Sequence, residues 1–175
     1  WQGSGPEHWQ TRWEQRYGYQ RVEQHDWQRP LRGDWTARLE EVVLAHAAEN
    51  TGPILLAAHS LGCILTAWWA AHSRHAHHVA GALLVAPPDI ERDDNRQQIP
   101  GWSPPARQRL PFPAVLVASS DDPFGSAESA SRLAVDWGAD FLNLGPLGHI
   151  NADSGLGDWD AGHALLLGLA LEQGE

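Results

Sequence analysis

Length, composition and charge limit the kinds of protein that this chain can be. Its 175 residues, 42% of them hydrophobic, suit one compact domain over residues 1–175. A net charge of −10 argues against nucleic acid as a partner, because nucleic-acid-binding surfaces are basic. The single cysteine, Cys63, excludes an internal disulfide bond. No apolar run is long enough for a bilayer and the first residues do not resemble a signal peptide, so we expect a cytoplasmic protein without a membrane partner.

Apolar runs separated by turn residues predict strands that alternate with helices. Helices are predicted over residues 8–17, 34–50, 61–72, 126–137 and 161–171, and strands over residues 19–24, 54–58, 79–86, 114–118 and 141–144. Asp34 is the predicted N-cap of the second helix, residues 54–58 are predicted to be buried on both faces, and residues 89–113 are predicted as a loop. The alternation indicates a parallel sheet with helices on both faces, in which ligands bind beyond the carboxyl ends of the strands.

Residues 57–62, Ala-Ala-His-Ser-Leu-Gly, lie between a predicted strand and a predicted helix, which is the context of a nucleophile elbow. A sharp turn there lifts the Ser60 hydroxyl above the sheet edge, and the small residues Ala58 and Gly62 let the strand and the helix pass closely. The Leu61 amide then stands at a helix N-terminus, where it is placed to stabilise an oxyanion. The alternative is that Ser60 merely caps the helix that follows.

A serine nucleophile needs a base, and the base needs a partner that orients it. Asp122 follows the strand at 114–118, and His149 follows the last predicted strand in a glycine-flanked loop. The chain order Ser60, Asp122, His149 is that of α/β hydrolases. Taken singly, Asp122 and its neighbour Asp121 fit a solvated turn, and His149 is one of ten histidines. Three correct placements in the correct order favour the catalytic interpretation.

Four stretches together resemble the small serine hydrolases typified by retinoblastoma-binding protein nine and by YdeN. The stretches are residues 3–9, 58–63, 119–123 and 148–155, the last continuing through 157–159. The resemblance implies an α/β-hydrolase-like three-layer sandwich with a mostly parallel sheet and no large lid domain. By this resemblance, Ser60 is the expected nucleophile, His149 the expected base and Asp122 the expected acid. The resemblance also implies a first strand ahead of Trp1 and an oxyanion N–H from the loop at Trp1.

The adjacent acids Asp121 and Asp122 are not separated by chain order alone. The resemblance indicates the second of the pair. Pro123 biases residue 122 toward an extended backbone, and successive side chains of an extended chain point to opposite sides. We therefore expect Asp122, rather than Asp121, to face His149.

A cluster of histidines follows the helix that Ser60 begins. Its members are His72, His75, His77 and His78. Imidazoles this close in sequence are candidates for a metal site, but no cysteine or carboxylate joins them. A solvated helix end is the favoured interpretation, and Cys63, within the helix, is predicted to pack as a small hydrophobic residue. We expect no metal and no organic cofactor.

These residues together predict a serine hydrolase that cleaves an ester, thioester or amide through an acyl-serine intermediate. Ser60 attacks, His149 transfers protons, Asp122 orients the imidazole, and the N–H groups of Leu61 and Trp1 hold the oxyanion. The expected partner is a small-molecule acyl substrate, and the oligomeric state is left open. The alternative is a non-catalytic protein-interaction module that retains the hydrolase fold, because fold alone does not decide function.

Overall fold

The computed structural model describes residues 1–49 and 52–171. The helices of this part are α1 (Trp9–Tyr17), α2 (Arg32–Glu49), α3 (Leu61–His72), α4 (Asp93–Gln98), α5 (Ala127–Trp137) and α6 (Asp160–Leu171). Its strands are β1 (Ile54–His59), β2 (Val79–Val85), β3 (Ala114–Ala118) and β4 (Asp140–Asn143), and short 3-10 turns cover Ala76–His78 and Ala152–Ser154. From β1 onward, strands and helices alternate; the prediction had this order except for α4, which it did not contain.

The strands form a parallel sheet in the order β1-β2-β3-β4. Alternate residues of β2 face opposite sides of it: Ala82 and Leu84 join one apolar cluster, whereas Leu83 and Val85 join another. The first cluster includes buried residues of α2, α3 and α5, and the second includes buried residues of α1 and α6. Helices therefore cover both faces of the sheet, which confirms the predicted three-layer sandwich.

Strand β1 departs from the prediction in its burial. Its six residues are half-buried, although the sequence predicted burial on both faces. The strand lies at one end of the sheet, and within the described residues no strand pairs with its outer edge. The Ala57 carbonyl accepts a hydrogen bond from the Gln10 side-chain amide instead, at 2.9 Å. Because an edge strand lacks a neighbouring strand on one side, its residues stay partly exposed to solvent even when they are apolar. The strand expected ahead of Trp1 stays a prediction.

The strand predicted over residues 19–24 is wrong, since this segment forms no strand in the described structure. Its Arg21 guanidinium donates to the Glu14 carboxylate and to the Thr11 hydroxyl, both on α1, each at 2.7 Å. Val22 is its only aliphatic side chain, so the segment offers little apolar surface to a sheet face. Polar anchoring to α1 replaces strand pairing here.

The second helix also begins earlier than predicted, at Arg32. Asp34 consequently lies in its first turn and not at its N-cap, where the negative charge still complements the helix dipole. The predicted last residue, Asn50, lies outside the described residues. The predicted loop over 89–113 contains the short helix α4.

Candidate active site

Ser60 occupies the sharp turn between β1 and α3. Its backbone has φ 55° and ψ −123°, a strained conformation that clusters at functional sites when a residue other than glycine adopts it. A Cβ placed on Gly62 would lie 3.6 Å from the Ala58 Cβ, so strand and helix pass closely at this turn. The Ser60 side chain makes no capping hydrogen bond within the described chain. The geometry therefore argues against a mere capping role.

His149 lies in the loop after β4, and its ring bridges the other predicted site residues. Its Nε2 atom is 2.9 Å from Ser60 Oγ. Its Nδ1 atom is 2.9 Å from Asp122 Oδ2 and 3.0 Å from Oδ1. Because a carboxylate only accepts hydrogen bonds, Nδ1 carries the proton, and Nε2 is free to accept the hydroxyl proton of the serine. A hydroxyl, an imidazole and a carboxylate in this series can activate a serine for attack.

The adjacent carboxylates after β3 have different partners. The Asp122 side chain, 2% exposed, accepts from the His149 ring. Asp121 accepts instead from the Gly148 N–H at 2.7 Å and from the Ser119 hydroxyl at 2.8 Å. These bonds, that from Gly148 foremost, lower the pKa of Asp121, because they stabilise its charged form. The expected orientation of Asp122 toward the imidazole is present, and its catalytic role stays a prediction.

The predicted oxyanion donors lie beside Ser60. Leu61 opens α3, where amides of the first turn have no helical acceptor and the helix dipole favours negative charge. Trp1 lines the same cavity as Ser60, and its ring packs edge-on against Phe124 at a centroid distance of 6.2 Å. Phe124 packs in turn against the His149 ring at 4.6 Å. Trp1 is thus close to the site, and its role as a donor stays a prediction.

Aromatic side chains to which the sequence assigned no role contact the loop of His149. His59 Nε2 donates to the His149 carbonyl oxygen at 2.8 Å, and Trp9 Nε1 donates to the Ile150 carbonyl oxygen at 2.9 Å. The His59 and His149 rings also pack edge to face, with centroids 4.8 Å apart. His59 precedes the nucleophile, and Trp9 lies in a stretch that carried the family resemblance. Their places in the sequence could have drawn attention to both residues. Neither place, however, predicts the hydrogen bond to the loop of His149.

His8 adds a third imidazole to this group; it is 4% exposed, and its ring lies 4.7 Å from that of His59. Its Nδ1 atom accepts from the Gln10 N–H and so caps α1. Burial, aided by the nearby charges of Arg21 and His149, lowers the pKa of His8 to about 4. Burial, followed by the influence of His149 and His8, lowers the pKa of His59 well below its usual value. Both His8 and His59 are therefore neutral at pH 7.

A cavity of about 900 Å³ opens at Ser60 and His149 and continues along β1 toward α2.

Within residues 1–49 and 52–171, no group of three or more His, Cys, Asp or Glu side chains is arranged to hold a metal ion. None of the helices described is long and apolar enough to cross a membrane. Cys63 is fully buried and its Sγ donates to the Val85 carbonyl at 3.3 Å, which confirms its packing role. Burial also raises the pKa of its thiol, so Cys63 is a poor nucleophile.

Comparisons with known proteins extend over most of the chain. A family model described as serine hydrolase matches residues 1–167. A protein described as a YdeN-like hydrolase, from Pectobacterium atrosepticum, has a structure that is 28% identical in sequence, with a TM-score of 0.79 over 95% of this chain and 84% of that chain. The ydeN gene product from B. subtilis is 18% identical, with a TM-score of 0.70 over 93% of this chain and 90% of that chain, a likeness of fold. No curated protein matches the chain.

Proposed function

Since the chain belongs to the serine hydrolase family, as its resemblance predicted, we propose that it cleaves an ester, thioester or amide of a small acyl substrate through an acyl-serine intermediate. One observation carries the proposal. It is the series from Ser60 Oγ through the His149 ring to the Asp122 carboxylate, in which each link includes a contact of 2.9 Å. Such a series pairs a nucleophile with a base and orients the base.

In the first half-reaction, Ser60 Oγ bonds to the substrate carbonyl carbon while His149 Nε2 takes the hydroxyl proton. The carbonyl oxygen becomes an oxyanion, which accepts hydrogen bonds from the Leu61 N–H and from a second donor near Trp1. His149 then gives its proton to the leaving alcohol, thiol or amine as that group departs. The acyl group remains on Ser60.

In the second half-reaction, His149 takes a proton from water, and the resulting hydroxide attacks the acyl carbon. His149 returns the proton to Ser60 Oγ as the carboxylic acid leaves. Throughout both halves, Asp122 keeps the proton of the neutral imidazole on Nδ1 and stabilises the imidazolium charge. Each proton in these steps moves between Ser60, His149, water and the leaving group.

A fluorophosphonate probe, which reacts with activated serines, tests this proposal on the purified protein. Mass spectrometry should find the wild-type label on Ser60, and Ser60→Ala should not be labelled. Ser126→Ala is the matched control, because the Ser126 side chain accepts from the Ser129 N–H and thereby caps α5. The control should be labelled like wild type. A folded wild-type protein that resists the probe would instead support the non-catalytic interaction module.

The bond type is tested by comparing p-nitrophenyl esters of increasing acyl length with a thioester and an anilide of the preferred acyl group. We expect turnover of the ester, since p-nitrophenolate leaves readily. The loss of that turnover in Ser60→Ala separates catalysis by this site from background hydrolysis. The ratio of kcat/KM values among the three compounds then identifies the substrate class.

A further inference from the structure

The backbone of the loop that carries His149 has a positive φ on both sides of the histidine, and at Ile150 this conformation is strained. Gly148 has φ +57° and Ile150 has φ +48°. A β-branched residue such as isoleucine rarely adopts a positive φ, because its side chain crowds the backbone. Strain of this kind persists only where surrounding contacts hold it in place. The conformation of this loop therefore needs an explanation outside the loop itself.

Contacts from the turn that follows β3 explain the half of the loop that precedes His149. The Ser119 hydroxyl accepts from the Leu147 N–H at 2.9 Å, and the Asp121 carboxylate accepts from the Gly148 N–H at 2.7 Å. These bonds hold the backbone up to residue 148. They leave the carbonyl groups of His149 and Ile150 to be held by other contacts.

Those carbonyl groups are held from the opposite side, by β1 and α1. His59, the last residue of β1, donates from Nε2 to the His149 carbonyl, and Trp9, the first residue of α1, donates from Nε1 to the Ile150 carbonyl. A carbonyl oxygen only accepts, so His59 must carry its proton on Nε2. Trp9 is 1% exposed and Ile150 is fully buried, so water cannot readily replace that bond.

We propose that His59 and Trp9, which we call the base clamp, are positioning residues that hold His149 in line with Ser60. This inference rests on the proposed function, in which His149 is the base. His59 directly precedes Ser60, so one residue of β1 is covalently next to the nucleophile and hydrogen-bonded to the backbone of the base. The base clamp thereby couples the position of the serine to that of the imidazole across 90 residues of chain.

The neutrality of His59 fits this role. Its ring packs against that of His149, and a positive charge there would disfavour the imidazolium that forms during attack. The burial that lowers the pKa of His59 keeps this neighbour uncharged. A neutral donor therefore restrains the base without opposing its protonation.

Matched tryptophan variants test the base clamp. Trp9→Phe removes the indole donor to Ile150, whereas Trp13→Phe removes an equally buried indole of the same helix, which donates to the Asp158 carbonyl at 2.6 Å. Both variants should unfold at a lower temperature than wild type. Only Trp9→Phe should also lower kcat for a p-nitrophenyl ester, by about 10- to 100-fold with little change in KM, because misplacement of a catalytic group by about 1 Å acts on the chemical step.

A second pair of variants tests His59. Gln places an amide N–H near the position of His Nε2, so His59→Gln should recover most of the kcat that His59→Leu loses. Proton NMR gives a readout independent of turnover. The low-field resonance of the Nδ1–H between His149 and Asp122 should persist in Trp13→Phe and broaden in Trp9→Phe and His59→Leu.

Equal kcat values and equal NMR resonances for Trp9→Phe and Trp13→Phe would overturn the base clamp. So would a His59→Gln variant no more active than His59→Leu. Both results are read against a wild-type protein that the fluorophosphonate labels at Ser60. Absence of that wild-type label would overturn the proposed function, and the clamp with it, so the two failures are distinguishable.

Discussion

The two ends of helix α3 hold histidines in opposite environments. At the N-terminal end, the rings of His8, His59 and His149 pack in succession, with centroid distances of 4.7 Å and 4.8 Å. His59 and His149 have hydrogen-bond partners from distant parts of the chain, whereas His8 accepts from Gln10 in the helix that it caps. The His149 side chain is only 11% exposed. Burial and fixed partners give each of these imidazoles one tautomer, which general-base chemistry requires.

At the C-terminal end of α3, the histidines lie on the surface. His72 and His77 are exposed, and their Nδ1 atoms contact carbonyl oxygens of nearby residues, Trp68 and Arg74. His75 pairs with the Glu40 carboxylate of α2 at 2.6 Å, with its side chain 43% exposed. This second group is denser in sequence than the first, yet none of its histidines lines the cavity at Ser60. Partners brought together by the fold, and not the local density of histidines, distinguish the two groups.

The largest expected difference in kcat is between variants that each remove one histidine, one at either end of α3. His149→Ala should lower kcat by about 10⁴- to 10⁶-fold, because the serine loses its base. His77→Ala, at the exposed end, should leave kcat within about twofold of wild type. Steady-state hydrolysis of a p-nitrophenyl ester measures both. Similar losses in the two variants would contradict the contrast between the ends of α3.

Next in size is the effect of the carboxylate that orients the buried imidazole. Asp122→Asn should lower kcat by about 10³- to 10⁴-fold, because the base loses its tautomer control and its stabilising charge. Asp121→Asn should lower it by about tenfold or less, since an amide oxygen can still accept from the Gly148 N–H. Kinetics of both purified variants, with circular dichroism to verify folding, measure the ranking. The reverse ranking would move the acid to Asp121.

A third prediction concerns the pH dependence of stability. The pKa of His8 is lowered to about 4 in the folded protein, so between that value and the unfolded value of about 6.5 the unfolded chain binds more protons. Acidification therefore destabilises the fold, and His8 alone should reduce the free energy of unfolding by about 2 kcal/mol between pH 7 and pH 5. Urea unfolding at the two pH values measures the loss.

His8→Asn is the variant that isolates this effect, because asparagine caps helices well and does not titrate. Its stability should fall less with acidification than that of wild type, by about the same 2 kcal/mol. His77→Asn, at the exposed end, is the control and should keep the wild-type slope. A His8→Asn slope equal to that of wild type would rule out a buried neutral His8.

The smallest expected effect belongs to the carboxylate at the exposed end. Glu40 accepts hydrogen bonds from Trp69, Ser73 and His75, which tie α2 to the end of α3. Glu40→Gln should lower the free energy of unfolding by about 1–2 kcal/mol, in keeping with weakened bonds to a charged acceptor. Its kcat should stay within about twofold of wild type, because the site lies at the other end of the helix. A large loss of kcat would show that the two ends are coupled.

Much of the fold followed from local pattern. Apolar runs such as residues 114–118 predicted a buried strand, and the structure forms β3 over Ala114–Ala118. The strand over residues 19–24 and the burial of β1 were predicted wrongly. The periodicity of apolar residues does not show which strand lies at the edge of a sheet, nor which polar side chains hold a segment in place. Strand position within a sheet is a property of the assembled chain.

The sequence by itself determined the elbow at Ser60 and the chain order in which Asp122 and His149 follow, because these depend on residue type and on strand ends. Only the tertiary structure decided that His59 and Trp9 donate hydrogen bonds to the backbone of the His149 loop. The Trp9 bond joins residues 141 positions apart, and no local pattern encodes a contact at that separation. The sequence places chemical groups at strand ends, whereas packing between elements sets the ångström-scale alignment on which their chemistry depends.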